Sequence, residues 1–502
     1  MRQKKVRQMF NSDLSQNLSV LPEAIILLTA VLVILADTFF AYKDNSTREL
    51  SGFLTFIGIF AALVVLVMTW NLAPSRLAQD SLMIDPVSQF LKAMAVLCGL
   101  ATVPMVASTK EIRIETRGEF YALLLLMLFS SMIIVSAQNL LAAYVAIQMC
   151  ILSATLLTAF RARPKTSSEA GLKYFLHSQI VLAVFLFGMA LLFFHTDSLY
   201  IPEIRAQLES RGTAAGFSLV TFSFLALCPL VLAWVFPFQM LAPDASQGAP
   251  TVFSGFILAV PFISGLSLLL KFCVQLFGVP QDGGWAPIPS VRWDLLFSIL
   301  SALTISVGTL GSVRQSNVKR FLAYCAVAQV GYILLGMAVL DQRAIVAILS
   351  GVTSFGVALF GIFAVTHRII ESSQGESFES FRGLVWRDGL IGVAACIFLL
   401  SLAGLPPFAG FASRFELLGA VVHGKLYWLA GVVVLNWVIG LVAYGKLIKE
   451  IFYPIRQLEE FRGSANAARF VVIAMLVPTV ILGVAWNTLH GALAESVSKL
   501  TW

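Results

Sequence analysis

The sequence predicts an all-α polytopic membrane protein with about fourteen transmembrane helices, and three observations carry that fold class. Of 502 residues, 58% are hydrophobic and only 12% charged, roughly half the charge of an average soluble domain. Fourteen apolar segments approach or exceed the roughly 20 residues that cross a hydrocarbon core. Two of those segments are interrupted by prolines, in FPFQMLAPDASQGAP at 236–250 and SLAGLPPFAGF at 401–411. The net charge of +7 is no nucleic-acid signal, because Lys and Arg in a membrane protein mainly report topology.

Residues 1–18 are basic and precede a long apolar span without a small-residue cleavage site, so they are expected to stay as an N-terminal tail. Segments 19–41, 52–73 and 86–107 form a leading group of three within 19–107. Segments 119–136, 139–160, 169–195, 217–241 and 249–277 make a first group of five (119–277). Segments 292–313, 321–340, 344–367, 388–411 and 426–445 make a second (292–445). A cytoplasmic loop and a last segment, 470–489, complete the chain (446–502). An even number of spans puts both termini on one side. Loops on the terminal side carry ten Lys/Arg and the opposite loops nineteen, which places the termini on the periplasmic side by the positive-inside rule.

The seventh segment contains Pro229 and Pro237, and the twelfth Pro406 and Pro407. Proline removes a backbone donor and clashes with the preceding turn. Irregular backbone is not tolerated against lipid, so both breaks should face protein or a polar cavity. They lie five helices apart, and a five-helix repeat is inverted in the membrane. Paired interrupted helices in corresponding halves point to a transport site. The six cysteines (Cys98, Cys150, Cys228, Cys273, Cys325, Cys396) fall in apolar segments without ligand or disulfide spacing and read as small buried hydrophobes. Neither a metal site nor a nucleotide loop is indicated.

The stretches NLLAAYVAIQ, SSEAGLKYFL, FPFQMLAPDASQGAP, QSNVKRFLAYCAVAQVGYILLG and SLAGLPPFAGFASRF, in this order, resemble the N subunit of bacterial NADH:quinone oxidoreductase, respiratory complex I. The resemblance implies fourteen helices with two inverted five-helix repeats, each holding a broken helix. It also implies a mid-membrane row of ionisable groups that relays protons: a glutamate on the fifth helix, lysines on the sixth, seventh and eighth, and a lysine on the broken twelfth.

In this chain the row is mostly absent. The glutamate position is Gln148, the seventh-helix lysine is Leu232, and the eighth-helix Pro-Lys is Pro261-Phe262. On the tenth helix a frequent histidine is Gln329, and the lysine of the twelfth is Arg414. A carboxamide does not titrate in this range, and arginine stays protonated, so Arg414 is a fixed charge and a poor relay. Lys173 survives. With Glu169 and His177 it is spaced i, i+4, i+8 and lines one helix face, which leaves Lys173, Glu169, His177 and Arg414 as the proton-path candidates. Other polar residues read more plainly. Glu23 and Asp37 suggest capping or interhelical contacts, Asp85 and Lys92 a mutual contact, and Lys271 a snorkelling interfacial lysine. Asp244, with Ser246 or Gln247 as alternatives, suggests a cap of the second half-helix. Lys319 and Arg320 read as topology charges and His367 as interfacial.

The expected function is a membrane-arm subunit of a proton-translocating NADH:quinone oxidoreductase, at the N-subunit position in the bacterial inner membrane, with an impaired or silent channel and a largely structural role. It would bind no cofactor itself; NADH, FMN, iron–sulfur clusters and quinone would sit on partner subunits. Its partners would be the antiporter-like neighbours, the small membrane chains and the lipid bilayer. The alternatives are an antiporter-like subunit of a membrane hydrogenase or cation/proton antiporter complex, or a stand-alone scaffold.

Overall fold

Backbone N–H and C=O groups find no water in hydrocarbon, so a spanning chain must pair them within itself, and helices do so. The computed structural model describes residues 2–40, 45–70, 75–77, 81–161, 165–211, 215–281, 283–288, 291–373, 375–454 and 466–498. The first half holds α1 (Arg2–Phe40), α2 (Asn45–Met68), α3 (Pro86–Ser108), α4 (Arg117–Ser136), α5 (Leu140–Thr158), α6 (Lys165–Thr196), α7 (Ile201–Arg211), α8 (Ala215–Leu232), α9 (Leu241–Gly248) and α10 (Thr251–Lys271). The second holds α11 (Trp293–Val313), α12 (Val318–Val339), α13 (Gln342–Ser373), α14 (Leu384–Arg387), α15 (Gly389–Ala403), α16 (Ala409–His423), α17 (Tyr427–Ile451), α18 (Asn466–Val484) and α19 (Trp486–Ser498). Two short antiparallel hairpins, β1 (Ser75–Leu77) with β2 (Leu82–Ile84) and β3 (Gly278–Gln281) with β4 (Gly284–Pro287), lie in loops.

Among the described residues, twelve helices are long and apolar enough to cross a membrane, while α8 and α15 are apolar but shorter. These two are the segments the prolines interrupt. α1 continues through the stretch read as a tail, although its apolar part begins at Val20. The short helix α7, between the sixth and seventh segments, is not foreseen by the apolar pattern, since it is polar.

Several helices begin where their sequence supplies a cap. Asp85 accepts from the Ser88 N–H and the Ser88 hydroxyl accepts from the Asp85 N–H, a reciprocal capping box on α3. Asn139, Asn317 and Asp388 cap α5, α12 and α15. α10 is buried along its whole length, and α12 and α13 nearly so, whereas α1, α2, α17 and α18 show broad apolar faces outward. In lipid an outward apolar face is the expected surface. The centre of the molecule is therefore α10 against α13, with α12 beside both.

The two interruptions share one backbone turn. The Val235 N–H donates to Leu230 O at 3.0 Å, and the Leu405 N–H donates to Leu400 O at 3.0 Å. Trp234 (φ 59°) and Gly404 (φ 73°) hold the same left-handed position, and the Phe236–Pro237 and Pro406–Pro407 bonds that follow are both cis. Glycine takes that φ freely and tryptophan does not; the Trp234 indole N–H donates to Leu258 O at 3.2 Å. In this register Asp244 on α9 corresponds to Arg414 on α16.

Candidate functional site

The charged groups gather around both ends of α10 and the second break, leaving an apolar stretch along the middle of α10. At the Thr251 end, Glu111 pairs with Arg161 at 2.9 Å, Arg161 with Glu376 at 2.6 Å, and Asn317 donates to Glu376 Oε2 at 3.0 Å. Glu111 also accepts the Thr251 N–H. Lys319 is fully buried here and donates to the carbonyls of Gln247, at 3.2 Å, and of Ala249. A cation there meets the free carbonyls and negative dipole end of α9, so Lys319 belongs to the interior and not to an exposed loop. Arg320 is ion-paired with Asp244 at 2.8 Å and bonds Gln247 Oε1 at 3.0 Å. Asp244 is thus engaged by arginine and caps nothing; α9 has no side-chain cap. His367 is buried, 3.3 Å from the Ser108 hydroxyl.

Burial opposes ionisation of Glu376, but Lys319, the Asn317 amide and Arg161 together hold its carboxyl below the ordinary value of 4.5. A depressed carboxylate stabilises the fold above its unfolded pKa, and that contribution disappears as pH falls through the folded value. Glu376→Gln should therefore lower stability by about 1–3 kcal/mol at neutral pH. Thermal unfolding in detergent should show wild type and variant converging as the pH falls through the depressed folded value, below 4.5.

Glu169, Lys173 and His177 do line one face of α6. Lys173 pairs with Glu169 at 2.7 Å, reaches Asp244 at 3.7 Å, and His177 Nδ1 meets the Lys173 carbonyl at 2.8 Å. This face is exposed in the single chain, Lys173 to 47% and Glu169 to 62%, and it joins the Asp244–Arg320 pair at its edge.

The middle contains the positions where the relay residues were missed. Leu232 and Phe262 are fully buried. Phe262 meets Phe355 edge-on at 5.7 Å, and the Tyr174 and Trp234 rings lie 5.8 Å apart. Gly265 on α10 lies so close to α8 that an added Cβ would come within 2.5 Å of Pro229 O and 3.1 Å of Leu232 Cβ. The polar contacts remaining here are neutral: Gln179 donates to Gln148 Oε1 at 3.2 Å, and the Ser131 and Ser264 hydroxyls are 2.7 Å apart.

At the other end of α10, Lys271 is 2% exposed and donates to Ala137 O at 2.8 Å, near enough to Asp85 and Lys92 to feel both charges. It does not snorkel. Lys92 pairs with Glu23 at 2.5 Å, the side chains being 1% and 3% exposed. Asp37 packs where a Gly118 side chain would be.

At the second break, Arg414 donates to Ala403 O at 2.8 Å and to Leu402 O, closing the carbonyl end of α15. Its guanidinium lies 4.3 Å over the Tyr332 ring and 5.6 Å from Trp437, a stacked site suited to arginine. Gln329 also donates to Leu402 O, and the Trp437 indole to Ala403 O at 2.8 Å.

Two helix pairs joined by matching turns, α8 with α9 against the buried α10 and α15 with α16 against α13, are the fold of an antiporter-like membrane subunit. The chain belongs to the family described as "NADH:quinone oxidoreductase/Mrp antiporter, TM", which matches residues 137–440. Among its relatives is a protein of Anoxybacillus flavithermus named NADH-quinone oxidoreductase subunit N, 33% identical with 95% of each chain covered. Another, from Sorangium cellulosum, is named NADH-quinone oxidoreductase subunit N 2 and is 29% identical, covering 95% of this chain and 97% of its own. A chain in respiratory complex I from Thermus thermophilus superposes with TM-score 0.78 at 26% identity, covering 94% of this chain and 99% of that one. A chain of the Mrp complex from Dietzia has the same fold at TM-score 0.81 and 19% identity, covering 96% and 97%.

Sequence reasoning missed Lys271, the Glu23–Lys92 pair and the Glu111–Arg161–Glu376–Lys319 group as parts of the interior. The available signal was the default that a charge within or beside an apolar span is functional, applied to each lone Lys or Glu irrespective of its distance from a segment end.

Proposed function

We propose that the chain is the N-position subunit in the membrane arm of a proton-translocating NADH:quinone oxidoreductase, and that its own channel is silent or impaired. The observation that supports this best is the Leu232–Phe262 region, an apolar barrier between the Lys319 and Lys271 groups. A proton crossing there would need a titrating side chain or water, and burying charge among these side chains is unfavourable. Arg414 serves as a fixed cation that holds the α15 break shut, and the Glu169–Lys173–His177 face with Asp244 is what remains of an uptake path. The chain carries no redox centre; NADH, FMN, iron–sulfur clusters and quinone belong to partner subunits. It contains two inverted repeats, 119–277 and 292–445, and keeps both termini on the periplasmic side of the bacterial inner membrane.

The test is a tagged purification from native membranes in mild detergent, identification of the co-purifying chains, reconstitution, and a count of protons moved per NADH oxidised. Neighbouring antiporter-like chains with NADH:quinone activity and a reduced proton count are expected. Hydrogenase or antiporter partners would overturn the assignment, and a full count would overturn the silent channel.

A further inference from the structure

A cavity of about 540 Å³ lies between α2, α3 and α4, with Glu49, Phe53, Phe56, Val103, Arg117 and Tyr121 among its lining. Its chemistry is graded. Glu49 sits in the first turns of α2 and Arg117 opens α4, so both charges are at helix starts beside loops rich in Lys and Arg. Phe53 and Phe56 follow one and two turns further along α2, and Val103 lies one turn inside the end of α3. Phe53 is 62% exposed and Phe56 37%. The Tyr121 ring closes the floor, its hydroxyl 2.9 Å from where a Cβ on Gly52 would be.

Arg117 is only partly committed. Nη1 donates to Ala107 O at 2.9 Å and Nη2 to Thr109 O at 2.7 Å, while the buried Nε–H has no acceptor in the protein. Of five N–H groups, two are used. A guanidinium with free donors is suited to a phosphate. Glu49 in the same cavity disfavours a purely anionic head and favours one that also bears a cation. A primary ammonium can donate hydrogen bonds to that carboxylate, whereas a quaternary ammonium cannot.

We infer that this cavity binds a zwitterionic phospholipid of the phosphatidylethanolamine class, with its phosphate at Arg117, its ammonium at Glu49 and an acyl chain over Phe53 and Phe56. Charge complementarity selects the head, and the turn-by-turn change from charge to aromatic along α2 gives the direction of the tail. The inference stands apart from the proton path and does not depend on it.

The test uses the intact complex purified from membranes and placed in nanodiscs with acyl-diazirine analogues of phosphatidylethanolamine or phosphatidylglycerol. After illumination, mass spectrometry maps the labelled peptides. Labelling of the Phe53–Phe56 and Val103 peptides should be several-fold stronger from the ethanolamine lipid. Glu49→Gln should keep the labelling but remove the preference, and Arg117→Gln should reduce labelling by either lipid. Because Arg117 also holds two carbonyls, Glu49→Gln decides the matter if the arginine variant does not fold. Equal labelling by both lipids in the wild type, no labelling, or cross-links from these peptides to another protein chain would each overturn the proposal.

Discussion

Lys92→Met is expected to destabilise the folded chain by about 3–5 kcal/mol, because it leaves the Glu23 carboxylate buried and unpaired. The pair joins α1 to α3 at 2.5 Å with almost no solvent contact, and Glu23 Oε2 already lacks a hydrogen-bond donor. Lysine and methionine have similar volume, so the loss comes from charge more than from packing. The double variant Glu23→Leu with Lys92→Met removes both charges, and its stability should return to the wild-type level or exceed it by about 1–4 kcal/mol. Thermal unfolding of the three proteins in one detergent gives the comparison. A single variant within 1 kcal/mol of wild type would mean that water reaches Glu23. The same double variant separates structure from charge relay, since restored stability with a proton count below that of wild type would assign the pair a transport role.

The fold class was legible because hydrocarbon leaves the chain so few options: apolar segments of this length must be helices, and a proline pair in two of them must break the ladder. Pro237 and Pro406–Pro407 located the turns to within a few residues. The identity of Trp234 as the partner of Gly404 in the left-handed position was not legible, since tryptophan is a poor candidate for positive φ. Arg414 was legible as a fixed charge, but its stacking on Tyr332 and Trp437 was not, because those residues come from α12 and α17. Lys271 was misread for a specific reason. Judged by position it ends a segment, yet the helix continues through a π-turn to Leu276, and the end of α4 covers the ammonium group. Lys319 was misread in the same way: it follows a loop in sequence, but the carbonyl end of α9 folds over it. Partners distant in sequence, such as Glu23 and Lys92, have no local signature at all.

The largest functional effect is expected from Gln148→Glu, Leu232→Lys and Phe262→Lys together. Gln148→Glu is isosteric and keeps the acceptor used by Gln179 at 3.2 Å, so alone it should change little. Leu232→Lys alone buries an ammonium without a partner, which costs several kcal/mol or leaves the amine neutral. Phe262→Lys gives up the edge-on contact with Phe355, about 0.5–1.5 kcal/mol beyond the lost burial. Each single lysine should therefore destabilise the chain without moving protons. Combined, position 232 packs on Gly265, one turn along α10 from position 262, so the two lysines extend one row and the apolar stretch between the Lys319 and Lys271 groups becomes a chain of titrating groups. Protons moved per NADH should rise in the reconstituted complex at an unchanged rate of NADH oxidation. An assembled triple variant that moves no more protons than wild type would show that Leu232 and Phe262 are not what stops conduction. The block would then lie at Arg414, and Arg414→Lys in the triple background would be the variant that restores the count.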